Sequence, residues 1–238
     1  MVACECEVCT SPDRHDTRLR SSIMVQSSTT TIVVDATPDF RYQMLREHVK
    51  HVDGILITHA HKDHVAGVDD TRPFQFLYKK PTEIYGNRMS LEGVKAEIPY
   101  AFEQHQYPGI PKINLHEISL EPFAIGDITV IPILVWHYKM PVFGFRFGDF
   151  TYITDANRID DEEKRKILGS QVIVLNALRN EPHMSHFTLE QAIAMANELQ
   201  IPKAYFTHIS HQLGRHKKVS ATLPAGRQLA YDGLKIDV

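Results

Sequence analysis

The run Thr58-His59-Ala60-His61-Lys62-Asp63-His64 packs four metal-capable side chains into six residues, directly behind the apolar run Ile55-Leu56-Ile57. Such a sequence reads as a buried strand opening into a loop, with Asp63 and His64 starting a short helix whose dipole favours a carboxylate. Imidazole and carboxylate together suit Zn, Mn or Fe. Two His one residue apart can turn toward one ion while Asp63 and His64 turn toward a second, so one short segment can hold two metals. The alternative, a His-rich surface loop, accords poorly with the strand and helix start that frame it.

Three later positions repeat the pattern of a donor just past a strand, where function concentrates on a rigid scaffold. Trp136-His137 follows the apolar stretch 128–135, Asp155 follows Phe150-Thr151-Tyr152-Ile153, and His208 follows Ala204-Tyr205-Phe206. Each alone is an ordinary loop residue. Behind a His-x-His-x-Asp-His run, the set resembles the metallo-β-lactamase superfamily, binuclear hydrolases with an αββα sandwich in which mixed β-sheets pack face to face with helices outside. The resemblance implies that His59, His61 and His137 bind one metal and Asp63, His64 and His208 the other, with Asp155 bridging them.

All three cysteines lie in Cys4-Glu5-Cys6-Glu7-Val8-Cys9. Three thiols in six residues do not pair readily, and an odd count leaves one over. No apolar segment of signal-peptide type precedes them, so the expected compartment is a reducing cytosol, where clustered thiolates point to metal. A frayed terminus with reactive thiols is the alternative. A tetrahedral Zn needs a fourth ligand, and Cys3His is an ordinary form. Together with Thr207-His208-Ile209-Ser210-His211-Gln212, the cluster resembles the PhnP-like branch of phosphoribosyl cyclic phosphodiesterases. That branch implies a structural zinc on Cys4, Cys6, Cys9 and His211. It also implies an extra catalytic His before a late helix, matched by His186, as general acid or phosphate contact. His183, three residues earlier, is the competing candidate.

With 238 residues, 43% of them hydrophobic, the chain is expected to form a single domain over 1–238. The family's usual first strand and glycine loop are absent ahead of Cys4, so a truncated or late-starting N-terminus is expected. No apolar run approaches the roughly 20 residues of a membrane span, and a net charge of −3 gives no general attraction to long nucleic acid. Strands are predicted at 29–35, 54–58, 82–85, 113–120, 127–135, 142–147, 150–154, 171–175, 203–207 and 234–237. Helices are predicted at 39–50, 63–70, 88–97, 160–168, 188–200 and 211–218, the helix at 188 opening on a Thr188/Gln191 capping box. Residues 86–126 match no motif. Arg18 and Arg20 alternate as on a strand and are candidate phosphate contacts, or a solvated face. The basic run Arg215-His216-Lys217-Lys218 is a second such candidate. His15, His48, His51, His105 and His116 are expected at the surface or in packing.

The expected function is hydrolysis of small cyclic phosphate esters such as phosphoribosyl cyclic phosphate or cyclic nucleotides. Two divalent ions would activate a bridging hydroxide, and Asp63 would orient it and accept its proton. A glyoxalase II-like thioesterase or a lactonase on the same centre is the alternative. A non-catalytic or tRNA-binding relative is disfavoured by the intact donor set and the acidic balance. The expected partners are a small phosphate-ester substrate and a second copy of the chain, as a homodimer.

Overall fold

Short β-branched runs build the first of two compact units, Arg20–Pro132; the second comprises Met1–Leu19 and Ile133–Val238. The computed structural model describes residues 1–103 and 109–238, so His105 lies outside the described residues. In the first unit, strands β1 (Ile23–Gln26), β2 (Thr31–Val34), β3 (Gly54–Leu56), β4 (Thr82–Gly86) and β5 (Ile113–Glu117) lie side by side in sequence order. β1 is antiparallel to β2, and β2 to β5 are mutually parallel. Both β2 and β3 are buried along their whole length, as the continuous apolar runs of parallel strands require. Helices α1 (Phe40–Arg46), α2 (Lys62–Val65), α3 (Arg72–Tyr78) and α4 (Arg88–Glu97) complete this unit around a core that includes Val33, Phe40, Ile55, Ile57, Ile84 and Val94.

A hairpin of β6 (Phe123–Ile125) and β7 (Ile128–His137) follows, and β7 runs on into the second unit. There β8 (Met140–Phe147) is antiparallel to β9 (Phe150–Ile153). Strands β9, β10 (Val172–Asn176), β11 (Lys203–Thr207) and β12 (Arg227–Leu229) are parallel neighbours. Helices α5 (Asp161–Ile167), α6 (Leu189–Glu198) and α7 (His216–Ser220) accompany them, over a core that includes Ile153, Ile173, Leu175, Ala192 and Phe206. The capping box forms: Gln191 N donates to Thr188 Oγ1 at 3.2 Å and Thr188 N to Gln191 Oε1 at 2.9 Å. No described helix is long and apolar enough to cross a membrane.

Several predicted elements need correction. The helix at 39–50 ends at Arg46, because the chain reverses through His48 in the left-handed region, with φ +53°. The helix at 63–70 stops at Val65. Gly67 N then donates to Ala36 O at 2.8 Å, and a Cβ on Gly67 would sit 1.9 Å from Thr37 O. Residues 211–218 divide at Gly214, φ +108°, into a 3-10 turn His211–Leu213 and α7. Residues 234–237 form no strand; the last strand is β12. The segment 17–22 is not extended sheet either, since β1 starts at Ile23. Unforeseen α3 buries none of its residues, which left no apolar periodicity to detect.

Candidate active site

In the first unit the parallel pairing of β2 and β3 places their C-terminal ends side by side, and Asp35 N donates to Leu56 O at 2.8 Å. Asp35 is fully buried with φ +68°, a left-handed backbone that costs a non-glycine residue energy and recurs at functional sites. Its carboxylate accepts from Thr58 N at 2.8 Å, Thr58 Oγ1 at 2.9 Å and His64 Nδ1 at 2.7 Å. Because the Thr58 hydroxyl proton points at Asp35, its oxygen accepts from His59 Nδ1 at 3.0 Å. Protons are thereby fixed on the Nδ1 atoms of His59 and His64, and lone pairs on their Nε2 atoms. The His61 ring meets that of His59 at 4.6 Å, and Asp63 sits in the first turn of α2 with Oδ2 3.4 Å from His64 Nε2. Helix α4 closes tightly on this loop: a Cβ on Gly93 would lie 2.4 Å from that of Ala60.

In the second unit three parallel strands bring three loops to one edge. Asp155 follows β9, the 177–188 loop follows β10 and His208 follows β11, the end of such sheets where ligands bind. β8 runs antiparallel beside β9 and so starts at that edge, which brings His137, the last residue of β7, to it as well. His137 Nδ1 donates to Ser185 O at 3.0 Å, again leaving the lone pair on Nε2. Asp155 and His208 have φ of +56° and +52°, and Asp155 Oδ1 is 3.0 Å from His208 Nε2. Buried Asn176 braces that strained turn, accepting from Ala156 N at 2.8 Å and donating to Ala156 O at 2.9 Å. The His186 ring lies among those of His137 at 4.6 Å, His208 at 4.9 Å and His183 at 5.0 Å. Burial pushes the His186 imidazole down to about 3; the Asp155 carboxylate opposes this and the neighbouring imidazoles add to it. It is therefore neutral at pH 7, and its Nδ1 is buried without a hydrogen-bond partner among the described residues.

The same unit gathers the thiols. Cys4 Sγ and Cys6 Sγ each lie 3.3 Å from His211 Nδ1, and the donors of Cys4, Cys6, Cys9 and His211 all fall within 4.8 Å of one another. None is in a disulfide. The Cys6 thiol is pushed down to about 6, first by the Cys9 backbone amide and then by the His211 imidazole.

The profile of the beta-lactamase superfamily domain matches residues 30–209, from the start of β2 past His208. The chain belongs to the metallo-β-lactamase superfamily. A solved diphosphatase from the PhnP family is 38% identical, covering all of this chain and 91% of that one, with a TM-score of 0.93, so the chain is a metallo-β-lactamase hydrolase of PhnP type. Its αββα class is that of the family. A curated relative from Porphyromonas gingivalis, named octanoyltransferase, is 34% identical over 237 residues, 98% of this chain and 48% of the relative. The chain thus spans about half the length of that protein. The anti-Pycsar protein Apyc1 of Paenibacillus harenae is 24% identical over 178 residues, 70% of this chain and 72% of Apyc1.

The superfamily implies divalent metal ions, and the donor chemistry fits them. His59, His64 and His137 each present Nε2 while Nδ1 is held by an oxygen, the outer-shell arrangement that orients metal-binding imidazoles. The thiol cluster fits a tetrahedral ion with bonds of about 2.3 Å to sulfur and 2.0 Å to nitrogen, which sets donors roughly 3.5 to 3.8 Å apart. Arg18 and Arg20 do not act as a pair. Arg18 donates to Ala230 O at 2.5 Å and His216 Nδ1 at 3.0 Å, and Arg20 pairs with Asp39. Arg215 and Lys218 of the basic run are engaged by Glu7. His15 stacks on His216, and His116 bonds Glu83 and stacks on Tyr85, as expected of packing residues. Asp35 and Asn176 were not foreseen. Their one sequence signal is a polar residue at the end of an apolar strand run, which many loops share.

Proposed function

We propose that this hydrolase is a dinuclear phosphodiesterase that opens small cyclic phosphate esters, of the phosphoribosyl or cyclic nucleotide kind. The observation that carries the reading is buried His186 set between His137 and His208 in a chain that also gathers the Cys4/Cys6/Cys9/His211 cluster and is 38% identical, over its whole length, to a PhnP-family diphosphatase. His59, His61 and His137 would hold one divalent ion and Asp63, His64 and His208 the other, with Asp155 shared between them; Zn or Mn fits, and Fe is the third option. Cys4, Cys6, Cys9 and His211 would hold a structural Zn. When bound, the two active-site ions lower the pKa of a water and offset charge building on the phosphate. Asp63 orients that water and accepts its proton. Asp35 and Thr58 hold the motif imidazoles, and Asn176 holds the Asp155 turn. Neutral His186 donates a hydrogen bond to a phosphate oxygen, and serves as general acid once the phosphate's charge raises its pKa. The setting is cytoplasmic and the assembly a homodimer.

Diphosphate cleavage is the second reading, favoured by the name of the 38% identical protein. A thioesterase or lactonase on the same donors is the alternative from another class, and the octanoyltransferase name of the longer relative makes an octanoyl thioester its natural substrate to assay. The test is parallel turnover, with Mn and with Zn, of 2′,3′-cyclic nucleotides, a phosphoribosyl cyclic phosphate, a dinucleoside diphosphate, an octanoyl thioester and a lactone. Cyclic phosphates are expected to react fastest. Preference for the thioester or lactone overturns the reading.

A further inference from the structure

Three free thiols in six residues offer more than metal donors. Cys4, Cys6 and Cys9 are each half-buried, so a small oxidant reaches them, and none is in a disulfide. The segment makes one turn after Cys6: Thr10 N donates to Cys6 O at 3.1 Å and Ser11 N to Val8 O at 3.2 Å. Positions three apart are neighbours on such a turn, which sets Cys6 beside Cys9. Their sulfurs lie within 4.8 Å, so an approach of about 2.8 Å or less reaches the roughly 2.05 Å of a disulfide.

The cluster also reaches the loop that carries His208. His211 lies three residues beyond His208, and Cys4 Sγ and Cys6 Sγ are each 3.3 Å from its Nδ1. Between the two imidazoles, Ser210 N donates to Leu178 O at 2.9 Å and Ser210 Oγ accepts from Gln212 N at 3.2 Å. Arg215, just past this loop, donates to Glu7 O at 3.1 Å, so the thiol segment and the His208 loop brace one another. His208 itself is held at φ +52°, a backbone that persists only where its surroundings over-determine it.

We propose that Cys6 and Cys9 form an oxidation site, where hydrogen peroxide makes a disulfide, expels the zinc and loosens the His208 loop, so that hydrolysis slows. The inference rests on the thiol-bound zinc and the hydrolase centre of the reading above. The Cys6 thiolate attacks peroxide, forming an S–O bond as the O–O bond breaks and hydroxide leaves. The Cys9 sulfur then attacks the sulfenic sulfur, forming S–S as the S–O bond breaks and a second hydroxide leaves. Two thiolates give two electrons to the peroxide, which takes up two protons and ends as two waters. Cys4 and His211 alone are two donors short of a tetrahedral zinc site, so the ion departs. In the cytoplasmic setting proposed above such a bond is transient and reports oxidant.

The test exposes the metal-loaded full chain to hydrogen peroxide and follows four readouts: intact mass, the linked peptides, zinc captured by a chromogenic chelator, and turnover of the best substrate in the panel above. The wild type should lose two hydrogens, show a Cys6–Cys9 link and release one zinc, with the active-site pair retained. Turnover should fall about tenfold, the low end for a lost outer support of a metal ligand, and recover with dithiothreitol and zinc. Cys9→His keeps four donors, because Cys2His2 is an ordinary zinc set, and should hold its zinc at least tenfold longer under the same oxidant. Zinc loss from Cys9→His at the wild-type rate, or a wild type that forms no Cys6–Cys9 link, overturns the oxidation site. Zinc release with unchanged turnover overturns its coupling to His208. A metal count before oxidation separates these from failure of the zinc reading, and if no substrate in the panel reacts, the link and the zinc release decide the site by themselves.

Discussion

In the unit Arg20–Pro132 the candidate metal donors are clustered in one loop, and in the other unit they are scattered over three loops, yet both sets depend on residues outside any motif. His64 is oriented by Asp35 directly and His59 through Thr58; Asp35 follows β2 and reaches them because β2 and β3 are parallel neighbours. The backbone of Ala156, next to Asp155, is held by Asn176 from β10, and His137 by the backbone of the loop that carries His186. Consecutive donors save the fold from assembling a site out of distant chain segments, but they still need a distant group to fix their tautomers. Strained backbone serves both sets. Asp155 and His208 both adopt positive φ, as Asp35 does.

Removing a donor from either set has the largest expected effect. His61→Ala and Asp155→Asn should each cost several kcal/mol of transition-state stabilisation, about a thousandfold or more in kcat/KM, with metal content falling in parallel. Normal turnover by His61→Ala would sink the ligand assignment. Next come the two buried braces. Asp35→Asn keeps the shape but removes the charge that holds His64 directly and His59 through Thr58, and should weaken metal affinity or activity about 10- to 100-fold. Asn176→Ala is its counterpart in the other unit, with a loss of about the same order for an outer-shell partner. A chelator competition that finds neither altered would mean the donors orient themselves.

The thiol cluster sharpens the comparison, since its three Cys fall within six residues like the motif loop and its His is remote. In protein stripped of metal, alkylation of Cys6 should titrate with a midpoint near 6, far below the ordinary thiol value of 9.0. His211→Ala should move that midpoint upward. An unshifted midpoint would remove His211 as a cause.

His186, by its burial, bears on stability rather than on turnover. Its folded value of about 3 lies below the ordinary 6.5, so between those pH values the unfolded chain holds a proton that the folded chain rejects. Stability should therefore fall as pH drops from about 6.5 toward 3, with no contribution from this group above that window. Urea unfolding of His186→Gln across pH 4 to 8 should show a shallower decline than the wild type. Identical slopes would place the cost of burial elsewhere.

The sequence singled out the His and Asp residues that cluster in the fold better than their supports. His-x-His-x-Asp-His is dense enough to be legible alone, and His137, Asp155 and His208 became legible through their order behind strands. Helix α6 was readable from its cap. Asp35 and Asn176 were not, because a single polar residue after an apolar run carries no spacing signal. Tertiary ties also overrode local pattern: Gly67 bonds back to Ala36 and ends α2, and Gly214 breaks the 211–218 helix. Arg18 looked like a phosphate contact until Ala230 and His216 claimed its guanidinium.

The most direct test of the central account is a metal count by mass spectrometry on protein purified without chelator, run beside Cys6→Ala and His61→Ala. The account predicts about three ions per wild-type chain, loss of one Zn with the other two retained in Cys6→Ala, and loss from the active-site pair in His61→Ala. A wild-type chain holding one ion or none, or equal losses in both variants, would contradict it.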